Sequence, residues 1–315
     1  MKETLQTTPD DLTLDQIMQR FASDEDARGY WESIHWPNGA VCPHCKNNEA
    51  KSIWKIEANA KKKIRAGLHQ CGKCNKQFTS TIGTIFEDSH IPLRKWLIAF
   101  YLNSASKKGI SSLQLQRTLG LGSYRTALFM QHRIRHSLKE TGFTSKLSGT
   151  VECDETYVGG KTRGQGRRYM GNKVPVVSLV ERNGKVRSQV MKHVTGKNLK
   201  EVLKANIEPT ATIMPDDFFA YRGAAKDFAS HQAVKHSARE YVRGLAHTNG
   251  VEGFFSLLKR GVMGTFHHIS EQHLPLYLAE FDHRHNFRDV TDGQRTIEAL
   301  KKTNGKRLMY RQPAN

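Results

Sequence analysis

Val151-Glu-Cys-Asp154-Glu-Thr-Tyr-Val-Gly-Gly-Lys161 decides how the chain folds. Alternation places Val151 and Cys153 on one face of a strand and Glu152 and Asp154 on the other, and Gly159-Gly160 ends the run. Downstream, His247-Thr-Asn249-Gly-Val-Glu252-Gly-Phe-Phe-Ser-Leu-Leu-Lys259 reads as a helix. At 100° per residue, Val251, Phe254, Phe255, Leu258 and Val262 form one stripe, and Asn249, Glu252, Ser256 and Lys259 form another. Between these stretches, Ile213-Met-Pro-Asp216-Asp217 sets a further carboxylate after a short apolar run. Three separated acids could thus converge on a divalent metal site, the pattern of a metal-dependent phosphoryl-transfer enzyme.

The segments around these acids complete the domain. Residues 173–180 and 185–194 read as a hairpin turning at Asn183-Gly184. A helix over 198–206, a strand over 211–214, a short strand over 231–234 and helices from Asn249 onward follow. This order predicts an α/β domain with a mixed sheet over residues 146–315.

Upstream, four of the five cysteines form Cys42-Pro-His-Cys45 and Cys71-Gly-Lys-Cys74. Two such knuckles place four thiolates around one structural Zn²⁺, giving a zinc ribbon over residues 40–90. Lys46, Lys73 and Lys76 offset the cluster's negative charge, and Gly72 permits the tight turn. Trp54 and Lys61-Lys-Lys-Ile-Arg65 lie in the connecting hairpin, facing either a nucleic-acid backbone or solvent. The fifth cysteine, Cys153, is expected to pack within its strand. Residues 1–39 form a helical lead-in, with apolar spacing at Leu14, Ile17, Met18 and Phe21, then at Trp31, Ile34 and Trp36.

Residues 91–145 are helical again. Pro92-Leu-Arg-Lys-Trp96 opens one helix; Ser111 or Ser112 caps the next. After Leu119-Gly120-Leu121-Gly122, Ser123 caps a third. This third helix turns Ala127, Leu128, Ile134 and Leu138 to a core and leaves Arg125, His132, Arg133, Arg135 and Lys139 for its polar faces. A short glycine-containing turn fits a helix-turn-helix whose second helix enters the major groove, with Arg125 and Arg133 on DNA. The alternative is an ordinary helical hairpin with a solvated basic face.

Lys plus Arg number 49 against 30 for Asp plus Glu, a formal charge of +19 over 315 residues. This balance favours a polyanionic partner. The longest apolar runs, such as Trp96-Leu-Ile-Ala-Phe-Tyr-Leu102, are too short to cross a membrane. The opening Met1-Lys-Glu-Thr-Leu lacks an apolar signal-peptide core, so a cytoplasmic location is expected.

Asp154-Glu-Thr-Tyr-Val-Gly-Gly-Lys161, Asp216 five residues before Tyr221, and His236-Ser to Glu240-Tyr-Val carry a resemblance. His247 to Gly261, Gly264-Thr-Phe-His-His-Ile-Ser and Glu280-Phe-Asp-His-Arg284-His-Asn286 extend it. In this order, with the zinc ribbon ahead, the chain resembles the ISXO-like insertion-sequence DDE transposases over nearly its full length. The resemblance implies a ribonuclease-H-like catalytic domain, with Asp154 on its first strand, Asp216 after its fourth and Glu252 on the helix that follows. It implies a DNA transposase that binds inverted-repeat ends and catalyses metal-dependent strand cleavage and strand transfer. Its partners would be double-stranded DNA, at element ends and target, and further copies of itself on that DNA, close to the nucleoid and away from membranes.

In this chemistry two Mg²⁺ or Mn²⁺ ions per active site suit carboxylates. Asp154 would bridge them, Asp216 would hold one and Glu252 the other. Lys259 would position DNA near the scissile phosphate, and Lys161, Arg163, Arg167 and Arg168 would form a basic arm over the backbone. Two departures stand out. Pro215 replaces the family's usual threonine, with Asp217 beside Asp216, and Asn249 competes with Glu252 for the third catalytic place. Two other classes fit part of the pattern: a DNA-binding regulator with inert carboxylates, and a metal-dependent nuclease that hydrolyses without joining.

Overall fold

Residues Thr150–Val158 form β4, the centre of a five-stranded sheet, as the alternation requires. The computed structural model describes residues 13–140, 145–160, 173–215, 223, 227–231 and 248–309. On one side of β4 runs antiparallel β5 (Val174–Glu181), followed by antiparallel β6 (Val186–Val190). On the other side run parallel β7 (Thr212–Pro215) and β8 (Ser230–His231), giving the order β6-β5-β4-β7-β8. The sheet is therefore mixed. Glu181 N–H donates to the Lys185 carbonyl across the β5–β6 turn, and Asn183 holds the left-handed conformation (φ 56°). Asparagine tolerates that conformation better than other non-glycine residues.

Both faces of this sheet are covered. Helix α6 (Gly196–Asn206) buries Leu199, Val202 and Leu203 against Val151, Cys153, Val177, Leu179 and Ile213. On the opposite face α7 (Asn249–Gly261) buries Val251, Phe254, Phe255 and Leu258 among Val158, Val176, Val180 and Val186. Double coverage explains why β5 is a nearly unbroken apolar run, Val-Pro-Val-Val-Ser-Leu-Val. Helix α8 (Leu274–Asn286) adds Leu274, Leu278 and Phe281 to the second face. It also clamps β6: the Val186 N–H donates to Asn286 Oδ1 at 2.7 Å, and Asn286 Nδ2 donates back to the Val186 carbonyl at 3.1 Å. One turn earlier, Asp282 accepts from the Ser188 N–H (2.8 Å) and hydroxyl (2.7 Å).

Among the described residues, a second compact unit comprises 13–106, 110–138 and 289–309. It contains α1 (Leu14–Arg20), α2 (Asp24–His35), α3 (Leu93–Ala105), α4 (Ser112–Leu119) and α5 (Tyr124–Leu138). A three-stranded antiparallel sheet, β1 (Ile53–Ile56), β2 (Leu68–Cys71) and β3 (Gln77–Phe78), carries the ribbon. The caps fall where the sequence places them: Ser111 accepts from Gln114 N–H, Ser123 accepts from Thr126 N–H, and Gly120 closes α4 in the left-handed region (φ 57°). The core of this unit is aromatic, with Trp31, Phe86, Trp96 and Phe100 meeting edge to face. Edge-to-face pairs contribute about 0.5–1.5 kcal/mol beyond their buried area.

The end of the chain departs from the reading that carries the catalytic domain to residue 315. Helix α9 (Asp292–Lys301) packs on α2 and α3, burying Ala299 and Leu300, and Arg295 donates to the Ser104 carbonyl at 3.0 Å. Local sequence marks α9 as amphipathic but does not say which core its apolar face joins.

Helix α5 brings a second correction. Arg133, expected on DNA, is only 6% exposed; His132 and Arg135 are buried as well. The Arg133 guanidinium donates to the Glu87 carbonyl and lies over the rings of Trp96 (5.8 Å) and Phe129 (5.4 Å). It is a core cation, held by the apolar stem and stacked plane that arginine supplies. No helix among the described residues is long and apolar enough to cross a membrane.

Candidate active site and zinc centre

The two knuckles of the ribbon are built alike. Lys46 N–H donates to the Cys42 carbonyl and Asn75 N–H to the Cys71 carbonyl, at 2.9 and 2.8 Å. Cys42 N–H in turn donates to the Asn47 carbonyl and Cys71 N–H to the Lys76 carbonyl. Lys46 (φ 60°) and Asn75 (φ 57°) both take the left-handed conformation that this turn demands. The result is four sulfurs within 4.8 Å of one another, with Cys42–Cys74 and Cys45–Cys71 separations of 3.6 Å.

That spacing is far beyond a disulfide bond of about 2.05 Å. Four thiolates at about 2.3 Å from a tetrahedral zinc stand roughly 3.8 Å apart, which the observed set meets. The backbone N–H of Cys74 pulls the Cys71 thiol down to about 6, and Asn47 Nδ2, 3.6 Å from its sulfur, acts in the same sense. Donors aimed at sulfur favour the thiolate, the form that binds metal. Among the described residues these cysteines are the only group of three or more metal-ligating side chains. Cys153 is buried in β4, its thiol pushed well up by burial.

The acids of the sheet domain are carried by β4 and α7. Asp154 lies mid-strand opposite Ser178 of β5, half-buried, with Oδ1 accepting from the Glu155 N–H at 2.7 Å. In parallel β7, Met214 stands beside Glu152 and Pro215 beside Cys153. Asp216 and Asp217 follow Pro215 directly in the chain and lie outside the described residues, as do Lys161, Arg163, Arg167, Arg168, Tyr221 and His247. Glu252 is in the first turn of α7, exposed, its Oε1 accepting from the Thr248 hydroxyl at 2.9 Å. Asn249 opens the helix and is exposed. Lys259 is exposed seven residues after Glu252, about 10 Å further along the helix axis.

The structure ties α7 to β4 through a residue that the sequence reading passed over. Glu152 is 1% exposed, and its Oε2 accepts from the N–H groups of Gly250 (2.7 Å) and Val251 (3.1 Å). Its Oε1 accepts from Arg182 Nε at 2.9 Å. Glu152 and Asp154 share a face of β4, so this bond brings the start of the Glu252 helix to the Asp154 side of the sheet. Two acids in alternate strand positions were the available signal; their different roles were not visible. The same face continues as a polar line, with the Ser178 and Ser188 hydroxyls 2.9 Å apart and Ser188 bonded to Asp282.

Arg125 is exposed in the first turn of α5. Lys139 is exposed just past the last turn.

Comparison with known proteins accords with this geometry. Residues 146–286 match the ISXO2-like transposase domain, and residues 22–77 match the transposase zinc-ribbon domain. The two matches together take in more than half of the chain. A Halobacterium salinarum protein described as an uncharacterized protein in transposable element ISH50 is 29% identical over 291 residues. That alignment takes in 85% of this chain and 92% of the other. The five-stranded mixed sheet with Asp154 at its centre is thus the ribonuclease-H-like core of a DDE domain, and the chain carries an ISXO2-like transposase domain behind a transposase zinc ribbon, the make-up of an insertion-element transposase.

Proposed function

We propose that this transposase cuts DNA at the inverted-repeat ends of its own insertion sequence and joins the freed ends to target DNA, using Asp154, Asp216 and Glu252 as its metal-binding acids. The register of β7 on β4 carries this reading. Pro215 stands beside Cys153, so the residue that follows each is an acid, Asp216 after one and Asp154 after the other. The Glu152 bonds to the first turn of α7 add Glu252 from the same face.

Carboxylates are hard oxygen donors suited to Mg²⁺ or Mn²⁺. Two such ions, when bound, would supply charge to the attacking, nonbridging and leaving oxygens of the phosphodiester. Asn249, one turn before Glu252, faces the same approach and contributes to orienting the DNA or the third ligand. Lys259 holds a phosphate as a point charge, and Lys161, Arg163, Arg167 and Arg168 follow the backbone. Arg125 reads bases through a helix-turn-helix of α4 and α5, and the ribbon adds backbone affinity. Two copies act together on paired ends.

Incubating the protein with Mg²⁺ and DNA flanking its gene, then mapping cut and joined products, tests the proposal. Asp154→Asn, Asp216→Asn and Glu252→Gln should each retain zinc and end binding but lose nearly all cleavage and joining. Cutting without any covalent joining would instead identify a nuclease. An Asp154→Asn protein that cuts and joins at the wild-type rate would overturn the assignment.

A further inference from the structure

Helix α7 begins without the usual local cap. The side chain of its N-cap Thr248 accepts no capping hydrogen bond; its hydroxyl donates to Glu252 Oε1 instead. The N–H groups of Gly250 and Val251, which a local cap would satisfy, are taken by the carboxylate of Glu152 from strand β4. The sequence separation is 98 and 99 residues. A buried carboxylate is costly unless paired, and here Arg182, the two N–H groups and the positive end of the helix dipole compensate it. Arg182 is itself anchored, its own N–H donating to the Thr150 carbonyl at 2.9 Å.

The close approach is built into the chain at Gly250. A Cβ there would stand 2.8 Å from Glu152 Oε2 and 3.3 Å from Cδ, too close for a carboxylate already fixed by Arg182. The clamp lies two residues from Asp154 on one side and one to two residues from Glu252 on the other. It therefore joins the two elements at the point where an error in helix placement would most change the separation of those acids.

We infer that Glu152 is a positioning residue that sets where Glu252 stands relative to Asp154, and so tunes how tightly this site holds divalent metal. The inference rests on the proposed metal-binding role of these acids. It assigns Glu152 no contact with metal or DNA; it acts through the first turn of α7.

Mn²⁺ binding to the full-length, zinc-loaded protein, read by electron paramagnetic resonance without DNA, provides a test independent of activity. Wild type, Glu152→Gln, Gly250→Ala and Asp154→Asn are compared well below the melting midpoint of each, so that unfolding does not enter. Glu152→Gln keeps size but loses charge and one acceptor; Gly250→Ala leaves Glu152 intact and displaces the helix. Both should raise the Mn²⁺ midpoint on the order of ten-fold, as supporting residues around metal ligands commonly do. On a Glu252→Gln background, adding Glu152→Gln should change the midpoint no further. Wild-type Mn²⁺ binding by both Glu152→Gln and Gly250→Ala, while Asp154→Asn is weakened, would overturn this inference and leave the metal site standing. An additive loss on the Glu252→Gln background would also overturn it, since Glu152 would then act independently of Glu252. Unchanged binding by Asp154→Asn would overturn both readings.

Discussion

Replacing Arg133 by alanine should unfold the N-terminal unit more easily and leave its preference for particular DNA sequences unchanged. The side chain is 6% exposed, its guanidinium donates to the Glu87 carbonyl, and its plane lies over Trp96 and Phe129. A hydrogen bond from a charged group contributes about 1.5–3 kcal/mol. A partly desolvated cation–π contact adds about 0.5–2 kcal/mol. Against these stands the desolvation of a cation whose Nε has no hydrogen-bond partner and whose pKa burial lowers. A net loss of about 2–3 kcal/mol is expected, because truncation also leaves a cavity and an unpaired carbonyl. With a urea dependence of about 2 kcal/mol per molar, the unfolding midpoint should fall by roughly 1–1.5 M. The assay is favourable, since all four tryptophans, Trp31, Trp36, Trp54 and Trp96, lie in this unit and report on it alone. An Arg133→Ala protein with the wild-type midpoint and a selective loss of end-DNA preference would refute the reasoning and return Arg133 to the DNA-reading face.

Three further outcomes are expected. Elemental analysis should find about one zinc per chain, and Cys71→Ser should release it and raise amide exchange through β1, β2 and β3, because one thiolate of a closed tetrahedral set is lost. Arg125→Ala should erode the ratio of element-end to random-DNA binding, whereas Lys139→Ala should weaken both about equally and flatten the salt dependence. His35, stacked on Trp31 at 4.7 Å, is pushed down to about 4 by burial. The unfolded chain therefore takes up its proton first, near pH 6.5, so the stability tied to His35 is complete above that pH and declines as pH falls toward about 4. Tryptophan-monitored melts should show this loss, and His35→Gln should reduce it.

Much of the molecule is legible from its residues in order. Alternation marks β4 over residues 150–158, Asn183-Gly184 turns the hairpin, and the stripe of Val251, Phe254, Phe255 and Leu258 gives α7 its buried face. Cys42, Cys45, Cys71 and Cys74 declare a metal ribbon by spacing alone. These features are local: a period, a turn or a pair of ligands is a property of a few neighbouring residues. Asp154, Asn249 and Glu252 could therefore be placed on their elements in advance.

Tertiary structure decided what depends on distant partners. Glu152 and Asp154 are equivalent by strand parity, and only the arrival of α7 makes one a buried clamp and leaves the other half-exposed. Arg133 sits on a helix with several basic positions, and burial of that particular one follows from where α3 and the Glu87 carbonyl come to lie. Helix α9 follows the catalytic domain in sequence yet packs on α2 and α3, because an amphipathic face carries no address in chain order. Periodicity says that a side chain is buried or charged; which surface covers it is set by contacts between residues far apart in the chain.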